Sequence, residues 1–292
     1  MKRTSPLISA EELLALVRSG DPDLRIVDCR WVLGEPGAGA TAYAEGHLPG
    51  AIHLDVDDDL ADAHGYGAPG RHPLPSPADF TARLAQAGIG DTDLVVAYDD
   101  AGGWIAARLW WMLDVLGHPA VAVLDGGLGA WLAAGGDMTT EVPDVSPGRL
   151  HLATEWSRVI DRDELKARLG AVVLLDARAA PRYRGETEPI DPVAGHIPTA
   201  RSAAIDDNLV EPAGPFRPAA QLVNHFGELG VDGSTPVVTS CGSGVSALHH
   251  ALAMRAAGLP DPILYVGSFS DWSRSGEPVA VGPEPGAPPE RS

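Results

Sequence analysis

The stretch Pro236-Val-Val-Thr-Ser-Cys-Gly-Ser-Gly-Val-Ser-Ala247 places a lone thiol, Cys241, where an apolar run stops abruptly in Cys-Gly-Ser-Gly. A branched apolar run, a Gly-rich turn and an alanine- and leucine-containing segment predict strand, tight loop and helix. At such a junction the sulfur faces backbone N–H groups beside a helix N-terminus. That surrounding favours the thiolate, the nucleophilic form of cysteine. A cysteine serving only as a small buried hydrophobe has no need of two glycines and two serines in the next five residues. The predicted chemistry is therefore nucleophilic attack by Cys241. The second cysteine, Cys29, ends a strand inside Asp-Cys-Arg and reads as a packed small hydrophobe. His249-His250 lacks partner ligands at useful spacing, and two isolated cysteines do not make a zinc site, so no metal is expected.

The elements that must position Cys241 occur twice. Ile26-Val-Asp-Cys-Arg30 matches Leu174-Leu-Asp-Ala-Arg178, Gly46-His-Leu-Pro-Gly-Ala51 matches Gly195-His-Ile-Pro-Thr-Ala200, and Val56-Asp-Asp-Asp-Leu60 matches Ile205-Asp-Asp-Asn-Leu209. Leu94-Val-Val-Ala-Tyr-Asp-Asp100 then aligns with Pro236–Gly242, and Leu124-Asp-Gly-Gly-Leu-Gly-Ala-Trp131 with Tyr265-Val-Gly-Ser-Phe-Ser-Asp-Trp272. Matched blocks in one order mark a tandem duplication. Each half alternates short strands with helices, so the predicted fold is α/β: two copies of a parallel sheet flanked by helices. Ser9 with Glu12 and Asp161 with Glu164 form capping boxes, while Pro77 and Pro218 suit a first helical turn.

The expected organisation is a first domain over 1–140, a linker over 141–157, a second domain over 158–280 and a flexible tail over 281–292. The repeat also carries a chemical statement, because Asp99 stands where the second half has Cys241. Only the second domain can be catalytic through this position. Residues present in both halves, His47 and His196, Asp28 and Asp176, Arg30 and Arg178, are expected to support the fold. Trp110, Trp111, Trp131 and Trp272 lie on apolar stretches and are expected in the core.

Composition narrows the partners. The chain has 292 residues, enough for two domains each with its own core. Its formal net charge of −19 argues against nucleic acid and anionic membranes, which require a basic face. No apolar run approaches a membrane span, and the N-terminus lacks the apolar core of a secretory signal. With two cysteines and no disulfide framework, a reducing cytoplasm is the expected location.

Taken together, the two Gly-His-[Leu/Ile]-Pro blocks, the Asp-x-Arg strand ends, the Asp-Gly-Gly-x-x-x-Trp block and the Cys241 loop resemble the two-domain rhodanese-like sulfurtransferases. The loop Cys241-Gly-Ser-Gly-Val-Ser-Ala247 is similar to the Cys-Gly-Ser-Gly-Val-Thr-Ala loop of the 3-mercaptopyruvate sulfurtransferases, with Ser246 keeping the hydroxyl. The SseB-type actinobacterial sulfurtransferases are similar as well.

The resemblance implies ping-pong transfer of a sulfane sulfur through a Cys241 persulfide to a thiol such as thioredoxin, to a small thiol or to cyanide, with no cofactor. It implies that Gly242, Gly244, Val245 and Ser246 cradle the sulfur and that Arg182 clamps the donor, with Arg184 either a second clamp or a solvated surface arginine. It further implies a proton relay of Ser243, His72 and Asp57. The alternatives are that His72 is a surface-loop residue and that Asp57 belongs to a solvated acidic run with Asp58 and Asp59.

The mercaptopyruvate branch commonly has another arginine downstream, where this chain reads Glu188-Pro-Ile-Asp191. Thiosulfate, a dianion, is expected to want cations after the nucleophile, and this loop has none. Thiosulfate nevertheless remains the competing donor. A related cysteine phosphatase would need an arginine where Ala247 and Leu248 stand, and a non-catalytic sulfur-carrier module would not require the complete Gly-Ser-Gly loop.

Overall fold

Short branched strands separated by helices cannot pair through tight hairpins, so they pair in parallel. The computed structural model describes residues 5–62 and 70–289. It separates into two units. The first comprises the described residues of Met1–Asp62, Pro75–Ser157 and Leu209–Phe216. The second comprises the described residues of Ala63–Leu74, Arg158–Asn208 and Arg217–Ser292. These bounds differ from the expected 1–140 and 158–280 by two exchanged segments, and they take the linker 141–157 into the first unit and the described tail into the second. Residues 70–74 belong to the second unit because Arg71 and His72 bond to Ser270 and Ser243 there. Residues 209–216 belong to the first, where the Phe216 N–H donates to Asp125.

In the first unit the elements run β1 (Leu7–Ile8), α1 (Ala10–Ser19), β2 (Leu24–Asp28), α2 (Ala38–Glu45), β3 (Ala51–His53), α3 (Pro77–Gln86), β4 (Leu94–Tyr98), α4 (Ala106–Val115), β5 (Val121–Leu124) and α5 (Gly127–Ala133). The sheet order is β1-β5-β4-β2-β3, all parallel. Ser9 and Ser76 cap α1 and α3 by accepting the N–H of the residue three places on, which satisfies otherwise unpaired donors. Helix α4 is buried along most of its length, Trp110 and Trp111 included, and its Arg108 reaches the Leu60 carbonyl at 2.9 Å.

The second unit repeats the plan with β6 (Val159–Ile160), α6 (Arg162–Arg168), β7 (Val173–Asp176), α7 (Ala180–Tyr183), β8 (Ala200–Ser202), a 3₁₀ turn (Ile205–Asn208), α8 (Ala219–Glu228), β9 (Val237–Ser240), α9 (Ala247–Ala256), β10 (Ile263–Tyr265) and α10 (Ser268–Trp272). The order β6-β10-β9-β7-β8 is the first sheet renumbered. Asp161 caps α6 as expected, whereas Pro218 is the cap residue of α8 and the helix proper starts at Ala219.

The duplicated residues act as fold supports. Arg30 forks onto Asp28 and reaches the Gly46 carbonyl at 2.7 Å; Arg178 forks onto Asp176 and reaches the Gly195 carbonyl at 2.7 Å. His47 and His196 are fully buried, and each ring bonds two backbone carbonyls while stacking on Tyr43 or Tyr183. Trp131 and Trp272 are also fully buried, with their indole N–H groups donating to the carbonyls of Asp137 and Pro278.

Two connecting stretches are more tightly held than their composition suggests. The linker is tied to the first unit through Gly148 to Ala85, Ala153 to Leu116 and the Trp156 indole to Pro75. The tail, expected to be flexible over 281–292, is pinned as far as Pro285. Gly282 N–H donates to Arg184 O at 3.0 Å, Thr199 N–H to Pro285 O at 2.6 Å, and His196 bonds Glu284 O at 3.1 Å. Backbone pairing, which composition does not reveal, orders it. No helix of the described residues is long and apolar enough to cross a membrane.

Candidate active site

Register fixes the equivalence of Asp99 and Cys241. Asp28 pairs with Tyr98 and Asp176 with Ser240, so the next residue leaves the sheet at the same step in each unit. Cys241 is only 1% exposed. Its Sγ accepts the N–H of Gly244 at 3.1 Å and of Ser243 at 3.4 Å, so the turn points amide dipoles at the sulfur. Gly244 has φ +79°, and a Cβ there would meet the Val266 carbonyl at 2.6 Å; the turn requires glycine. Val245 is buried, and the turns from Val245 and Ser246 lead into α9.

In the first unit the same loop is filled by its own carboxyl group, which burial pushes above its ordinary pKa although four N–H groups oppose the shift. The Asp99 carboxylate accepts the N–H groups of Ala101, Gly103, Ile105 and Ala106 at 2.8–2.9 Å. Cys29 is buried like Cys241, and burial together with Asp28, Asp99 and Asp59 pushes its thiol well above its ordinary pKa. That cysteine is held as the unreactive thiol.

Ser243 Oγ shares a hydrogen bond of 2.7 Å with His72 Nδ1, and both residues are buried. Thiol, hydroxyl and imidazole are thereby joined within the second unit, since the Ser243 amide is itself bonded to Sγ. Asp57 belongs to the first unit; it is exposed, and its carboxylate accepts the Trp31 indole N–H at 2.9 Å.

The candidate arginines separate. Arg182 Nη1 lies 3.6 Å from the point a Cβ would occupy on Gly242, next to the nucleophile. It is held by Glu188 at 2.6 Å and Asp191 at 3.4 Å. Burial alone would raise the Glu188 carboxyl, but Arg182 and the N–H groups of Asp191 and Ile190 hold it below its usual value. Arg184 is placed as the surface alternative describes. It forks onto exposed Glu186 at 2.6 and 2.8 Å, because two residues along the short α7 turn its side chain to the surface.

Sequence reasoning missed two residues. Arg71 Nη2 lies 2.9 Å from the same Gly242 point. The Gly-Arg-His run was its only sequence signal. Ser268 matches Gly127 in the repeat; it keeps the left-handed backbone at φ 51° and uses its hydroxyl to accept the Cys241 N–H at 3.2 Å. A serine forced into a glycine conformation beside the nucleophile is the signal that could have found it.

Known proteins resemble this chain across both halves. The Rhodanese-like domain model matches residues 9–134 and 161–275. The chain is 45% identical over 287 residues to "Probable 3-mercaptopyruvate sulfurtransferase" of Pseudomonas aeruginosa, covering 96% of this chain and 99% of that one. It is 40% identical to "Putative thiosulfate sulfurtransferase SseB" of Mycobacterium tuberculosis, over 93% of this chain and 95% of that one. Among solved structures, SseA of Escherichia coli, described among 3-mercaptopyruvate sulfotransferases, aligns with a TM-score of 0.78 at 28% identity, covering 91% of this chain and all of the other. A duplicated sheet, a duplicated loop and matches across both halves lead to one assignment: the chain belongs to the rhodanese-like domain family and carries two copies of that domain.

Proposed function

We propose that this protein transfers the sulfur of 3-mercaptopyruvate through a Cys241 persulfide to a thiol or to cyanide, releasing pyruvate. The observation that carries the proposal is the pair of N–H bonds from Ser243 and Gly244 onto Cys241 Sγ, with Ser243 joined to His72.

The thiolate attacks the donor sulfur, an S–S bond forms, and the carbon–sulfur bond breaks towards the enolate of pyruvate. The proton from the donor thiol returns to that carbon by way of Ser243 and His72, leaving a persulfide anion and pyruvate. Histidine suits this transfer because its ordinary pKa lies near neutrality. The acceptor thiolate or cyanide then attacks the outer sulfur and restores the Cys241 thiolate. Arg182 holds the donor carboxylate, a task for which a planar guanidinium is well shaped. A reducing cytoplasm, with thioredoxin or small thiols as acceptors, suits an enzyme whose nucleophile must remain free.

Thiosulfate is the second reading, favoured by the name of the mycobacterial relative and by the two guanidiniums beside Gly242. Comparing kcat/KM for the two donors with one acceptor separates them. A clear advantage for 3-mercaptopyruvate is expected, and a clear advantage for thiosulfate overturns the donor assignment.

A further inference from the structure

The segment Glu188–Asp191 supplies carboxylates rather than a second arginine. Arg71 brings a guanidinium to the same neighbourhood from elsewhere in the chain. Its Nη2 and Arg182 Nη1 stand 2.9 and 3.6 Å from one point on Gly242, so the two cations converge on the residue after the nucleophile.

Arg71 is also built in at both ends. Its backbone N–H donates to Ser270 Oγ at 3.1 Å, and the Ser270 N–H donates to Gly242 O at 2.9 Å. Its Nη1 bonds Asp191 Oδ1 at 2.5 Å, and the Asp191 side chain is wholly buried. The preceding Gly70 has φ +132°, and a Cβ there would meet the Gly267 carbonyl at 2.9 Å. The backbone therefore sits too close to admit a side chain at that position. One donor is left over: Arg71 Nε is buried and has no hydrogen-bond partner among the described residues. A buried guanidinium N–H without an acceptor is costly and calls for one.

We propose that Arg71 is the second cation of the donor site, binding the donor's carboxylate together with Arg182, and that Asp191 positions it. The proposal rests on the anionic-donor reading above. Arg71, Arg178, Arg182 and Arg274 face Asp176, Glu188 and Asp191 in one linked set, leaving one positive charge in excess.

Two measurements test this in R71M and R71K. The first is the KM and kcat for 3-mercaptopyruvate and for thiosulfate. The second is the ratio of Cys241 alkylation rates with iodoacetate and neutral iodoacetamide, read by peptide mass. R71M should raise the donor KM roughly tenfold to a hundredfold, with a smaller change in kcat, and lower the iodoacetate-to-iodoacetamide ratio by a similar factor. R71K, which keeps the charge but not the fork, should fall between. A wild-type KM and ratio in folded R71M overturn the proposal, as do wild-type values in R71K should R71M fail to fold. A lowered ratio in an enzyme that prefers thiosulfate supports Arg71 as the anion clamp and defeats only the choice of donor.

Discussion

Asp99 and Cys241 are the same position of two equivalent loops, each leaving the sheet directly after the residue paired with Asp28 or Asp176. The Asp99 carboxyl extends two atoms beyond its Cβ and ends in oxygens gripped by four N–H groups. A cysteine persulfide also extends two atoms beyond Cβ and ends in an anion. The first loop thus displays in oxygen what the second is proposed to hold in sulfur, with Val245 and Ala247 standing where Gly103 and Ile105 donate.

Asp99→Ala leaves those four donors without their acceptor in a fully buried place. Chemical denaturation should show a loss on the order of 3–5 kcal/mol, with Asp99→Asn losing less because one acceptor oxygen survives. A change under about 1 kcal/mol for Asp99→Ala would show that the loop closes without the carboxyl group.

Ser243→Ala and His72→Ala should slow the pyruvate-forming half-reaction by roughly a hundredfold or more, the usual worth of a positioned proton donor. Rapid-quench detection of pyruvate checks this, and an unchanged rate removes the pair from the mechanism. Asp57→Asn tests the third member implied by the family resemblance, and slower pyruvate formation would support it.

His250 is fully buried with Thr239 at 3.1 Å from its Nδ1, and burial pushes its pKa down to about 4. The unfolded chain binds this proton at about 6.5, so between those values the unfolded state holds more protons than the native one. Stability therefore falls as pH drops through this window, by roughly 3 kcal/mol at its end. His250→Gln should flatten that stretch of the stability-versus-pH curve. An unchanged slope would mean that His250 does not control it.

The two cysteines should differ in reactivity. Cys29 is pushed towards the thiol by burial and by Asp28, Asp99 and Asp59, whereas Cys241 faces N–H groups. Iodoacetamide at neutral pH should label Cys241 and leave Cys29 intact in the native protein. Labelling of Cys29 at a comparable rate would contradict this contrast.

Local sequence revealed much of the scaffold. The repeats located the sheets, the equivalence of Asp99 and Cys241, and the buried pairs Asp28–Arg30 and Asp176–Arg178, because each rests on residues close along the chain. Arg71 was hidden, since its meaning depends on Ser270, Asp191 and Gly242, far away in sequence. Arg182 and Arg184 look alike in a motif, and only the turn of α7 sends one to Glu188 and the other to Glu186. The tail's Pro and Gly content suggested disorder, while its backbone is bonded to the Thr199 and Arg184 backbone and to the His196 ring.

The most direct test is the intact mass of the protein after brief exposure to 3-mercaptopyruvate without acceptor. Wild type and Cys29→Ala should each gain one sulfur atom and release one equivalent of pyruvate, while Cys241→Ser gains nothing. A sulfur gain that persists in Cys241→Ser, or its absence in a folded wild type, would contradict the account.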